Sequence, residues 1–75
     1  MLRKTRNNIW LHGLGQSGSY TIYTLNGRTV KAGTFDMTNG EPAIISTINF
    51  SAGMYMIEYC SCSDDTQYLF FNHHK

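Results

Sequence analysis

Along most of this chain apolar and polar residues alternate. Successive side chains of a strand point to opposite faces, so a period of two marks a half-buried β-strand. Residues 20–24 alternate and are rich in β-branched and aromatic side chains, and Ile44, Ser46, Ile48 and Phe50 fall on one parity. Within residues 54–60, Tyr55, Ile57 and Tyr59 share one face and Met54, Met56 and Glu58 the other. Ile9-Trp10-Leu11 is a shorter apolar run, and residues 67–72 form a last one around Leu69, Phe70 and Phe71. No segment holds the 3.6-residue apolar period of an amphipathic helix. Turn-forming residues close each run: Gly13, Gly15 and Gly18, then Asn26-Gly27, Asn39-Gly40, Ser51-Ala52-Gly53, and the polar residues 61–65. The pattern predicts an all-β domain, a small antiparallel immunoglobulin-like β-sandwich of about five to six short strands. Residues 34–42, with Asn39-Gly40 and the only proline, read as a loop or a frayed edge.

The hairpin around Asn26-Gly27 allows two registers. A two-residue loop pairs Leu25 with Arg28 and sets Ile22 opposite Lys31. A three-residue loop, Leu25-Asn26-Gly27 with Gly27 in the left-handed region, pairs Thr24 with Arg28. The second gathers Tyr20, Ile22, Val30 and Ala32 on one face and Thr21, Tyr23, Thr29 and Lys31 on the other. Burial of one face favours it, so the sequence predicts a type I turn with a glycine bulge.

At 75 residues the chain is one domain at most, with an expected radius of gyration of roughly 11 Å. Hydrophobic residues make up 41%, enough for a small core, and charged residues only 15%, against about 25% in typical domains, which argues against disorder and against a coiled coil. So short a chain leaves little room for a multi-part active site, and no enzyme is expected. The net charge of +1 hides a segregation: Arg3, Lys4, Arg6, Arg28 and Lys31 all precede Asp36, the first acid, and Lys75 is the only base after it. Three of these cations form a short basic start, read as a flexible segment over residues 1–7, with one sandwich domain over residues 8–75. No apolar run has the ~18 residues of a membrane span, so no stable membrane insertion is expected. The basic start leads into Asn7-Asn8-Ile9-Trp10 rather than a signal-peptide core. Secretion or surface display through the periplasm therefore requires a leader elsewhere in a longer protein.

Several chemical patterns weaken on inspection. Gly13-Leu14-Gly15-Gln16-Ser17-Gly18 spells the dinucleotide fingerprint, but residues 19–23 read as a strand where that motif needs a helix. Cys60 and Cys62 lie too close in sequence for an unstrained bridge. With His73 and His74 they offer two thiolates and two imidazoles to zinc only if the last hairpin folds them together, and the cysteine spacing is shorter than structural sites use. His12 has no acid or thiol beside it in sequence, so neither a catalytic set nor a cofactor is expected. Trp10, Tyr20, Tyr23, Arg28 and Lys31 interleave aromatics with cations, but the aromatic RNA-binding sheet signature is missing and no nucleic-acid partner is expected.

Two segments resemble a known family. Residues 22–33, Ile-Tyr-Thr-Leu-Asn-Gly-Arg-Thr-Val-Lys-Ala-Gly, resemble the V-Y-D-x-x-G-R-x-V stretch of the C-terminal sorting domains of the type IX secretion system of Bacteroidetes. Residues 48–58, Ile-Asn-Phe-Ser-Ala-Gly-Met-Tyr-Met-Ile-Glu, resemble the same family's L-x-x-G-x-Y-x-x stretch. They come in the family's order and at about its spacing, and the resemblance spans roughly residues 9–75. Thr24 stands where the family has Asp, and the Asn-Pro that opens its domains is missing. The resemblance implies a small β-sandwich that serves as a secretion signal and catalyses nothing. The implied partners are the outer-membrane secretion translocon and a sortase-like peptidase that removes the domain and anchors its cargo to surface lipopolysaccharide. Gly27, Arg28, Gly53 and Tyr55 occupy the matching positions, and Lys75 matches the family's basic terminus. The alternative is a stand-alone binding or adhesion module, with Met54, Met56 and Phe70 as an apolar patch or a homodimer through an unprotected edge strand.

Overall fold

The computed structural model describes residues 2–12, 16–61 and 66–74. Each alternating segment forms a strand, and among the described residues there is no helix. The strands are β1 (Leu2–Lys4), β2 (Asn8–Leu11), β3 (Ser17–Thr24), β4 (Thr29–Asp36), β5 (Ala43–Ser46), β6 (Gly53–Ser61) and β7 (Thr66–His73). They make two antiparallel sheets, in the orders β1-β2-β5 and β4-β3-β6-β7. This is the immunoglobulin constant-type arrangement with its fourth strand moved to the other sheet. The radius of gyration is 11.8 Å, close to the value expected from length.

The inner faces follow the alternation. Ile9, Leu11 and Ile45 from the smaller sheet meet Tyr20, Ile22, Tyr55, Ile57, Tyr59 and Phe71 from the larger, all buried. Full burial of one such side chain contributes about 1.5–3 kcal/mol. The Tyr55, Ile57 and Tyr59 face reads as expected, and its partners across β3–β6 are Thr24, Ile22 and Tyr20.

Strand number, the extent of β4 and the inward faces of β4 and β5 differ from the sequence reading. Seven strands stand in place of five to six, because Leu2–Lys4, inside the basic segment set apart as residues 1–7, pairs with β2. Residues 34–36, read as a loop or a frayed edge, continue the edge strand β4, and Phe35 and Met37 enter the core. The bulged turn itself forms: Thr24 N donates to Arg28 O (2.8 Å), Gly27 N donates to Thr24 O (3.0 Å), and Gly27 has φ +89°. Two pairs further on, a second bulge intervenes. Tyr23 pairs with Thr29 but Ile22 pairs with Lys31, which skips Val30. From there Lys31, Gly33 and Phe35 face inward while Val30 and Ala32 are exposed, the reverse of the expected faces. The reason lies beyond the turn. Without the slip Asp36 would point into the core and Phe35 out of it; one skipped residue exchanges them.

β5 also shows the opposite parity. Ile45 and Thr47 are buried, whereas Ile44 and Ile48 are 55% and 60% exposed. The alternation over residues 44–50 runs through a four-residue strand into a turn closed by Phe50 N donating to Thr47 O (2.9 Å). The turn resets the phase, so Phe50 still packs against the core.

Gly27 has nothing within 4 Å of where a Cβ would lie, so substitution there tests backbone strain alone. A left-handed conformation costs a non-glycine residue roughly 1–2 kcal/mol, more when β-branched. Gly27→Val is expected to lower the melting temperature by about 8 °C or more. Gly27→Asn should stay within a few degrees of the parent, because asparagine tolerates positive φ. Thermal melts followed by circular dichroism give both values, and equal melting temperatures would contradict the bulge.

Candidate recognition end of the sandwich

The β3–β4 turn, the connection between β5 and β6, the β1–β2 turn and the C-terminal end of β7 all lie at one end of the sandwich. Thr24 organises the first of these. Its hydroxyl accepts from Arg28 N (3.1 Å) and donates to Asn26 Oδ1. An acceptor oxygen is thus kept where the resembled motif has Asp. The turn leaves Arg28 exposed at the end of the sheet.

Beside it, Gly53 begins β6 with φ +147°, a backbone region almost closed to other residues. This bend brings the chain back so that the Tyr55 hydroxyl donates to the Ser51 carbonyl four residues upstream (2.6 Å). It is the tyrosine corner of immunoglobulin-like folds, and it explains why a glycine two residues before a tyrosine recurs as a unit. The Tyr55 ring is held between Phe71 (5.6 Å, stacked) and Phe50 (5.1 Å, tilted). Phe50 in turn meets the edge of His73 (5.9 Å). His73 is 2% exposed, and its Nδ1 lies 3.4 Å from the hydroxyl of buried Thr47. The end of β7 is therefore locked into the same cluster as the corner.

Between the edges of β4 and β5 opens a cleft of about 680 Å³ whose lining includes Arg28, Lys31, Tyr55, Ser46, Asn49 and Ser51. Lys31 Nζ donates to Ser46 O (2.8 Å) and ties the two sheets together across the opening. A second cleft, of about 460 Å³, is lined by Lys4, Thr5, Arg6, Asn72 and His74. Partial burial holds the Lys4 ammonium below its usual pKa. Among the described residues, no acid lines either cleft. Asp36 pairs with Ser17 at the far end, Glu41 follows β4 there, and Glu58 sits mid-strand on the outer face. Among the described residues, Lys4, Arg6, Arg28 and Lys31 thus sit at one end, and Asp36 and Glu41 at the other.

The structure brings Gly27, Arg28, Gly53 and Tyr55 to this one end. Lys75 lies outside the described residues, and the chain reaches His74 at the same end. Thr47 and Ser51 join the site with no role foreseen from sequence, while Lys31 and His73, considered there for a stacking surface and a zinc site, act instead through Ser46 and through Thr47 and Phe50. The remaining patterns disperse. Cys60 pairs with Thr66 and His73 with Gly53, at opposite ends of the β6–β7 hairpin, so that hairpin does not fold them together. Cys62 lies outside the described residues, which hold no group of metal-ligating side chains. Of the glycine-rich stretch, residues 13–15 lie outside the described residues, and Gly18 sits within β3. Trp10 faces out of the smaller sheet, Tyr20 is in the core and Tyr23 faces out of the larger sheet, so they build no common stacking surface.

A model of the secretion system C-terminal sorting domain matches residues 4–68, which includes both motif segments. The chain belongs to the type IX secretion C-terminal sorting domain family. No curated protein and no solved structure matches it. Type IX sorting domains are secretion signals rather than catalysts, and membership implies export to the cell surface or the medium through that system. Among the described residues no helix is long and apolar enough to cross a membrane.

Proposed function

We propose that the type IX outer-membrane translocon reads this domain in its folded form, and that the basic end bearing Arg28 and the end of β7 is the surface it contacts. The supporting observation is the convergence of both family motifs on that end. Gly27 presents Arg28 at one edge of it, and the Gly53–Tyr55 corner fixes the end of β7 at the other. The electrostatic consequence is an end that carries Lys4, Arg6, Arg28 and Lys31 and, among the described residues, no acid in its clefts, suited to an acidic surface on the translocon. A sortase-like peptidase acting on the delivered protein completes this reading. The domain itself performs no chemistry.

The experiment fuses the domain behind a leader-bearing fluorescent passenger in a bacterium with an active type IX system. Removing the last five residues would also strip buried Phe71 and His73 from the core, so a surface charge reversal is the sharper probe. Arg28→Glu is expected to reduce surface delivery about tenfold or more while leaving the melting temperature within a few degrees. Undiminished delivery of the variant would remove Arg28 from the contact.

A second reading, a stand-alone binding or adhesion module, draws support from the outer face of the larger sheet. Phe70 and Met54 are 63% and 44% exposed there, and Met56 pairs directly with Phe70. Periplasmic retention of a well-folded parent fusion would favour it.

A further inference from the structure

The sandwich has four edge strands, and three are protected against pairing. β1 is three residues long, and its Lys4, opposite Ile9, faces inward. β5 is four residues long and follows Pro42 directly. β4 is bulged at Val30 and turns Lys31 inward. Short strands, proline, bulges and inward-pointing lysines are the devices by which sheets blunt their edges. β7 has none of them. Its sequence, Thr-Gln-Tyr-Leu-Phe-Phe-Asn-His, contains no Lys, Arg, Asp, Glu, Pro or Gly. It pairs with β6 in unbroken register from Gly53↔His73 to Cys60↔Thr66. Beside that open edge, Tyr68 and Phe70 project from the outer face, 56% and 63% exposed.

We propose that β7 is a pairing edge whose occupant is β7 of a second copy of this chain, added antiparallel so that the two four-stranded sheets become one. A strand that completes this edge must be extended, rich in β-formers and uncharged where the backbones meet, and β7 itself meets each requirement. Antiparallel pairing about a two-fold axis sets like residues near one another, which a charged strand resists and an uncharged one permits. Tyr68 and Phe70 of each copy then flank those of the other on the shared outer face and lose much of their exposure. Arg28 and the larger cleft lie toward β4, at the opposite edge of the sheet, so pairing leaves them open.

The test is sedimentation velocity on the full chain from low to high micromolar concentration. The expected result is a mass rising from 8.5 kDa toward twice that value. Phe70→Lys and Tyr68→Lys, each confirmed folded by circular dichroism, should weaken self-association about tenfold or more. Thr34→Lys, exposed on β4 at the other edge, should leave it unchanged. A single-chain mass at every concentration overturns the proposal and leaves the edge to a strand of another protein. A dimer insensitive to lysine at both β7 positions also overturns it, because the contact then lies elsewhere.

Discussion

Replacing Gly18 by alanine is expected to cost about 3 kcal/mol or more and to lower the melting temperature by roughly 15 °C or more. A Cβ at this position would lie 2.0 Å from the Cys60 carbonyl oxygen and 2.8 Å from the Phe35 ring. The first neighbour is backbone and has no rotamer to change, so relief requires β3 and β6 to separate where Gly18 pairs with Ser61. These two strands are the centre of the larger sheet, and strain between them spreads to Tyr20↔Tyr59 and into the core. A domain of this size has a total stability of only about 4–11 kcal/mol, so the variant should sit close to its unfolding limit. Ser19→Ala, one residue away on the exposed face, is the control and should change stability by no more than about 0.5 kcal/mol. Urea melts measure both. A Gly18→Ala midpoint matching that of Ser19→Ala would mean that the two strands do not approach as described.

Gly53→Ala is expected to be nearly as damaging. No neighbouring atom lies within 4 Å of a Cβ there, so the cost is conformational, roughly 1–3 kcal/mol for the φ of +147°. A backbone that relaxes away from that angle also opens the Tyr55–Ser51 hydrogen bond it supports. Tyr55→Phe alone removes that bond and should cost about 1 kcal/mol. If the corner acts as a unit, Gly53→Ala combined with Tyr55→Phe destabilises by less than the sum of the two, the shortfall being the coupling between them. Full additivity would show the glycine and the hydroxyl to be independent, and the motif would lose its structural rationale. Both variants bear on the proposed recognition, since the Tyr55 ring stacks on Phe71 and so holds the end of β7.

How legible these features were in the sequence depended on how local their physics is. The Asn26-Gly27 turn was readable because its geometry is decided within five residues, and the bulged hairpin appears as expected. The Tyr55, Ile57 and Tyr59 face was readable because β6 is a central strand, buried along one side for its whole length. β4 and β5 are edges, where alternation is a weaker guide. Val30 and Ala32 are apolar near the turn, but Phe35 and Met37 are larger and lie further along, and their burial decides the register. Reading residues 34–42 as a loop or a frayed edge removed those two side chains from consideration and with them the reason for the second bulge. The family positions were legible as a motif. That Gly27, Arg28, Gly53 and Tyr55 share one end was not, since it depends on which strands become neighbours.

The sequence by itself determined the class of structure and the family. Its period of two, its glycine-marked turns and its two motif segments are each written in short stretches of chain, and no distant contact is needed to read them. Only the tertiary structure decided which parity of β4 and β5 faces inward, which edge is left unprotected, and that Lys4, Arg6, Arg28 and Lys31 gather at one end, away from Asp36 and Glu41. These depend on pairings between residues far apart in sequence. In a strand of period two, a slip of one residue exchanges every inward side chain for an outward one, and only the core it meets selects between them.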